Sequence, residues 1–113
     1  MGLFAKDPEK EIERLRRACD ERDEKYIDKC LKRGKESLIQ TVRVLGEEQM
    51  DSYMPRLIEL LPPGDADKRK AAAYALGEMR YSSAVTFLTK RLEEEEDPAV
   101  IDEIRKGIAK YRG

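Results

Sequence analysis

The chain has 113 residues, which is enough for one hydrophobic core but too few for two independent domains. Charged side chains make up 42% of it, yet 23 Lys and Arg nearly balance 24 Asp and Glu, and this balance argues against a dedicated nucleic-acid binder, which usually has a basic excess. The 40% of hydrophobic residues argues against wholesale disorder, and the absence of histidine removes the commonest general base and transition-metal ligand.

Apolar residues recur at helical spacing along most of the chain. Ile12, Leu15 and Cys19 form the first stripe, at i, i+3 and i+7, and strand-like alternation is almost absent. Pro62-Pro63-Gly64 cannot continue a helix and predicts a loop. The pattern predicts seven helices joined by short connections, at residues 8–20, 23–33, 35–46, 52–61, 67–79, 82–93 and 98–111.

Residues that begin and end helices support these limits. Asp7-Pro8 and Asp97-Pro98 each place an N-cap acceptor before a proline at the first helical position. Gly34, Gly46 and Gly77 lie where a helix would end, and we expect each of them to adopt a positive φ.

The helices repeat in pairs. At an offset of 31 residues, Leu45-Gly46-Glu47 aligns with Leu76-Gly77-Glu78, and Leu57 aligns with Leu88. This period predicts a helical hairpin of about 31 residues, present about three and a half times. A single hairpin cannot bury its apolar stripe, so the hairpins are expected to stack.

The segment from residue 67 to residue 77 resembles the first helix of a HEAT repeat, especially the short phycobilisome-lyase HEAT-like type. That family favours an early arginine, small alanine positions and then Ala-Leu-Gly, and its second helix often reads Ala-Val followed by two spaced leucines. The positions that match are Arg69, Ala72, Ala75-Leu76-Gly77, Ala84-Val85, Leu88 and Leu92. The resemblance extends over about 35–113 and is poor over 1–34.

The resemblance implies an all-α fold, a right-handed α–α superhelix of about 3.5 antiparallel hairpins in a single domain. We expect residues 1–34 to form a charged N-terminal capping hairpin and residues 97–113 a C-terminal capping helix. Residues 35–65 and 66–96 would form the two repeats between them.

The chain contains no glycine-rich phosphate loop, nucleophile elbow or zinc-binding helix signature, so we expect no catalytic residue, cofactor or metal. Together with the repeat architecture, this favours a small non-catalytic scaffold or adaptor that binds another protein. In this family the second helices line the concave face. Their outward residues, the candidate partner-binding set, are here Arg56, Glu59, Thr86, Thr89, Lys90 and Glu93. Charge reversal at Arg56 and Lys90 would test this set.

Three alternatives stay open. Some HEAT-like proteins act on DNA, so nucleic-acid association would show as steeply salt-dependent binding, although the charge balance does not favour it. One branch of the family attaches or removes bilin chromophores, and a lyase-like accessory role rests on that analogy alone. Self-association through the end faces is the third alternative, and the oligomeric state, including a monomer, is open.

Two charged features have simple structural interpretations. The acidic run 93–97 lacks the ligand spacing and central glycine of a calcium loop. We interpret it as a solvated connection whose last acids favour the N-terminus of the helix near Pro98. Arg69 is usually structural in the resembled family, where it bonds neighbouring helix ends or acids; direct binding of a partner is the alternative.

The chain is expected to be cytoplasmic. It contains no apolar stretch long enough to span a bilayer, and its first residues do not resemble a signal peptide. Cys19 and Cys30 lack the further ligands that a zinc site needs. We expect both to be small buried hydrophobic residues; a disulfide between the first two helices is the alternative.

Overall fold

A computed structural model describes residues 7–61 and 64–112. Two parts of the predictions lie outside the described residues: Pro62 and Pro63 of the predicted loop, and residues 1–6 of the predicted capping hairpin. Its seven helices are α1 (Pro8–Glu21), α2 (Glu24–Lys32), α3 (Lys35–Glu47), α4 (Met54–Ile58), α5 (Ala66–Met79), α6 (Ser82–Glu94) and α7 (Pro98–Arg112). The described ranges contain no strand, and the all-α class is confirmed. None of the helices in these ranges is both long and apolar enough to cross a membrane.

Helix α4 is shorter than the predicted 52–61. A 3₁₀ turn, Asp51–Tyr53, precedes it, and Pro55 lies in its first turn, where a missing N–H costs nothing. At its other end the N–H groups of Leu60 and Leu61 donate to the carbonyls three residues earlier. The chain therefore leaves the α conformation before it reaches the prolines, which disfavour that conformation at the preceding residue.

The predicted roles of the glycines are only partly correct. Gly34 has a positive φ of 146° between α2 and α3. Gly46 and Gly77, by contrast, lie inside α3 and α5 and are buried, so they do not end these helices. The left-handed residues that end α1 and α5 are Arg22, with φ 55°, and Arg80, with φ 58°.

Gly46 and Gly77 are needed where helices approach closely. A Cβ atom built on Gly77 would lie 2.5 Å from the Cα atom of Gly107 in α7. A Cβ atom on Gly46 would lie 2.6 Å from the Cβ atom of Ala75 in α5. The small residues therefore let α3, α5 and α7 pack side by side at a distance that larger side chains would prevent.

Helix α5 lies at the centre of the molecule, in contact with α3, α4, α6 and α7. Ala71, Ala72, Ala73, Ala75 and Leu76 of α5 are buried, and they join one core with residues of α3, α4, α6 and α7. A second core joins α1 and α2 to the other side of α3; it consists of Leu15, Ala18, Cys19, Ile27, Cys30, Val44, Leu45, Met50 and Tyr53. Helix α3 therefore links the first hairpin to the rest of the stack.

Polar contacts reinforce the junction between the first hairpin and α3. Arg16 donates to Glu48 at 2.7 Å and to Glu47 at 3.0 Å, and the Ser37 hydroxyl donates to the Cys30 carbonyl at 2.8 Å. Cys19 and Cys30 are free thiols with 4% and 2% exposure, which confirms that they are buried. The capping role of residues 1–34 and the right-handed superhelical twist stay predictions.

Candidate functional site

The two second helices α4 and α6 lie side by side. The Ser83 hydroxyl of α6 donates to the Met54 sulfur of α4 at 3.6 Å. All six predicted partner-binding side chains on α4, its C-cap residue and α6 are exposed, and we call them the second-helix ridge: Arg56, Glu59, Thr86, Thr89, Lys90 and Glu93. Their exposure agrees with the prediction, while their binding role stays a prediction.

Arg56 is exposed but already holds an internal partner. It donates to the Asp28 carboxylate of α2 at 2.6 Å, and its guanidinium lies 5.1 Å from the ring centre of Tyr53. The buried Tyr53 hydroxyl donates to the same carboxylate oxygen at 3.0 Å. The hydrogen bond from Arg56 lowers the pKa of Asp28. Arg56 therefore joins α4 to α2, and its substitution would disturb that contact as well as any partner.

The ridge residues of α6 face two directions. Thr86 donates to the Ser82 carbonyl at 3.2 Å, and Lys90 has no ion-pair partner in the described ranges. Thr89 instead lines a groove toward α7, together with Ile108. Lys90 is thus the ridge cation that is available to an outside carboxylate, whereas Thr89 belongs to the side of α6 that faces α7.

Phe87 is an exposed aromatic residue that the sequence analysis missed. Its side chain is 42% exposed on α6, next to the fully buried Leu88. The repeat pattern assigned Leu88 and Leu92 to the core stripe, and Phe87 does not lie on that stripe. The sequence did contain a signal for this exposed residue. A large apolar residue that lies off the apolar stripe must either fill a gap in the core or face solvent.

A buried ion pair lies in the connection between α6 and α7. Arg69 of α5 donates through two nitrogens to the two carboxylate oxygens of Glu95, at 2.9 and 3.0 Å, and through a third to the Gly64 carbonyl at 2.6 Å. The Nε atom of Arg91 lies 3.3 Å from Glu95. The structural role predicted for Arg69 is confirmed, because it ties the loop before α5 to the loop after α6.

The acidic run 93–97 is consequently not the uniformly solvated connection that the sequence predicted. The Glu95 side chain is only 1% exposed, because the two arginines enclose it. Burial alone would raise the pKa of Glu95, but the hydrogen bonds from Arg69 and from the Asp97 backbone hold it below its usual value. Asp97 accepts from the backbone of Ala99 and caps α7, as expected.

This cluster offers little chemistry of its own. The Glu95 charge is engaged by two guanidinium groups, so it has no free capacity as a base or nucleophile. Across residues 7–61 and 64–112, no three Cys, Asp or Glu side chains are placed to hold a metal ion together. The exposed ridge on α4 and α6 is therefore the stronger candidate site.

Comparison with known proteins identifies a family for most of the chain. The family model described as HEAT repeats matches residues 35–109, which is about two thirds of the sequence. The match starts at the first residue of α3 and ends within α7, so it omits α1 and α2. No curated protein and no solved structure matches the chain.

Proposed function

The chain belongs to the HEAT repeat family, and from that premise we propose that it is a non-catalytic scaffold or adaptor that binds another protein through the second-helix ridge. Repeats of this family generally mediate protein–protein interaction and are typically non-catalytic. We place the protein in the cytoplasm, a proposal supported by its two free, buried thiols, since reducing compartments keep cysteines unpaired.

The observation that carries this proposal is the exposed aromatic ring of Phe87, which lies on α6 beside the second-helix ridge. Phe87 and Lys90 lie one helical turn apart on α6, and both are exposed. Protein interfaces are enriched in aromatic residues, and a few such anchors supply most of the binding energy. An apolar ring beside an unpaired cation suits a partner that offers an apolar pocket with a carboxylate at its edge.

The test is affinity capture from a lysate of the source organism with the wild-type chain, Phe87→Ala and Lys90→Glu. Tyr111→Ala and Lys70→Glu are matched controls, because they change an exposed aromatic residue and an exposed cation elsewhere on the molecule. We expect a stoichiometric protein partner that survives nuclease, binds the controls normally and loses affinity about tenfold with each of Phe87→Ala and Lys90→Glu. Unchanged binding of both Phe87→Ala and Lys90→Glu would refute the assignment of the binding surface to the exposed face of α6.

Arg56 needs a separate design because it pairs with Asp28. A simple charge reversal would leave two carboxylates together and disturb α2. The exchange variant carries both Arg56→Asp and Asp28→Arg. It keeps an ion pair between the two helices but moves the positive charge from α4 to α2. Loss of the partner in this exchange variant, with unchanged thermal stability, would attribute the effect to binding.

The same capture experiment distinguishes nucleic-acid association. If nuclease removes all bound material, and if heparin retains the chain in a steeply salt-dependent way, then nucleic acid replaces protein as the partner. A lyase-like accessory role and membership of the short phycobilisome-lyase type rest on analogy with the family alone.

A further inference from the structure

A groove runs between α6 and α7. Its lining residues are Thr89, Leu92, Arg105, Ile108, Ala109 and Arg112. Leu92 and Ile108 are half-buried apolar side chains in its floor, and the other four are exposed. No described part of the chain covers it.

The arrangement of the other helices indicates what shape fits this groove. Helix α6 forms a hairpin with α5 and also contacts α4, the preceding second helix. No helix of the described ranges has the corresponding position against α7 and α6. A helix bound in the groove would pack against α7 and α6 in the same way that α6 packs against α5 and α4. The groove is therefore expected to accommodate a helix.

The charges at the groove are of one sign. Arg105 and Arg112 are seven residues apart, about 10.5 Å along α7, and Ile108 lies between them. Neither guanidinium has an ion-pair partner in the described residues. The other two cations in this part of α7 are paired, Lys106 with Asp102 at 3.0 Å and Lys110 with Glu78 at 2.5 Å. The unpaired cations of α7 are therefore the two that face the groove.

We propose that the α6–α7 groove binds an amphipathic helix of another protein whose apolar stripe is flanked by acidic residues. The apolar stripe would cover Leu92 and Ile108, and carboxylates two helical turns apart would pair with Arg105 and Arg112. Because the net charge of the whole chain is −1, the molecule does not attract acidic peptides in general, and the preference must come from the groove. The groove shares Thr89 with the second-helix ridge but includes neither Phe87 nor Lys90.

A second copy of this chain is a poorer occupant. In a two-fold symmetric dimer the same surface of both copies forms the contact, which brings Arg105 and Arg112 of one copy near the same arginines of the other. Like charges in one interface oppose association. A foreign acidic helix meets no such repulsion.

The test is a fluorescence-polarisation titration of the full chain with two labelled synthetic peptides at about 0.15 M salt. The acidic peptide has about 15 residues, with leucines at i, i+3, i+4 and i+7 and glutamates flanking them. The second peptide has lysine in place of every glutamate. We expect the acidic peptide to bind about tenfold or more tightly than the basic one.

The charge-exchange variant R105E/R112E should reverse this preference, because its groove then carries two carboxylates. The control R17E/K29E changes the net charge equally on α1 and α2 and should leave the preference unchanged. Both pairs are exposed, and circular dichroism should show the wild-type helix content in each variant. Lys90→Glu should bind the acidic peptide normally, which distinguishes this proposal from partner binding through Phe87 and Lys90.

Several results would overturn the proposal. These are no binding of the acidic peptide, equal binding of both peptides, and an equal loss in the control R17E/K29E. A dimer in light scattering that R105E/R112E dissociates would assign the groove to a second copy instead.

Discussion

Replacing Glu95 by glutamine should destabilise the fold by about 2–4 kcal/mol. The carboxylate is 1% exposed and accepts two hydrogen bonds from Arg69, at 2.9 and 3.0 Å, and one from the Asp97 backbone at 3.1 Å. Removing one partner of a buried ion pair costs about 3–5 kcal/mol, because the remaining charge stays buried without compensation. The side chains of Arg69 and Arg91 keep 13% and 12% exposure, so water compensates part of this cost and the expected loss falls to about 2–4 kcal/mol.

Urea unfolding at neutral pH, followed by circular dichroism, measures this cost. The control is Glu96→Gln, an exposed acid in the same connection, which we expect to change the free energy of unfolding by less than about 0.5 kcal/mol. Arg69→Met and the double variant complete a double-mutant cycle, and the cycle should give a coupling of about 1–3 kcal/mol between Arg69 and Glu95. In a thermal scan the loss for Glu95→Gln corresponds to roughly 10–20 °C.

Equal effects of Glu95→Gln and Glu96→Gln would refute this reasoning, since burial would then make no difference. A cycle without coupling would also refute it, because the cost would arise from something other than the pair with Arg69.

Three further predictions concern the core and the pH dependence of stability. Gly77→Ala should cost about 1–3 kcal/mol in urea unfolding despite its better helix propensity, because its methyl group meets Gly107; no loss would mean that the two helices can separate freely. Because folding lowers the pKa of Glu95, its carboxylate stabilises the folded state above about pH 4.5, and this stabilisation is lost as the pH falls through the pKa of the folded state. Between neutral pH and that pKa, the free energy of unfolding should therefore fall less in Glu95→Gln than in the wild-type chain when both are titrated with acid. Cys19 and Cys30 are both buried, so a thiol reagent at pH 8 should label them only after unfolding, and rapid labelling of the native chain would contradict their burial. For Cys19 burial also raises the pKa of the thiol to about 11, which lowers the fraction of reactive thiolate further.

The order and number of the helices could be predicted because they depend on local information. The apolar stripes, such as Ile12, Leu15 and Cys19, and the Asp7 and Asp97 caps are properties of single segments. Stacking of those stripes then follows from the need to bury them. The exposure of the second-helix ridge follows from the same periodicity, since its residues lie off the stripe.

The errors concern features that depend on distant residues. Gly46 and Gly77 resemble helix ends locally, but their role is set by Ala75 and Gly107, about 30 residues later in the chain. Glu95 lies in a run of acids that normally stays in water, and it is buried only because Arg69, 26 residues earlier, reaches it. The groove between α6 and α7 was likewise not predicted, because an uncovered face is visible only when all neighbours are placed.

The close helix crossings have a consequence for how such a chain can change in length. Gly46, Gly77 and Gly107 recur at intervals of 31 and 30 residues. The two residues that meet at each crossing, Gly46 with Ala75 and Gly77 with Gly107, are separated by no more than one such interval. Duplicating or deleting one whole interval would leave a small residue at every crossing. Inserting a single residue into α5 would turn the following small residues about 100° around the helix and present a larger side chain to α7. We therefore expect viable length variants of this architecture to differ by whole hairpins, with smaller insertions confined to the connections between helices.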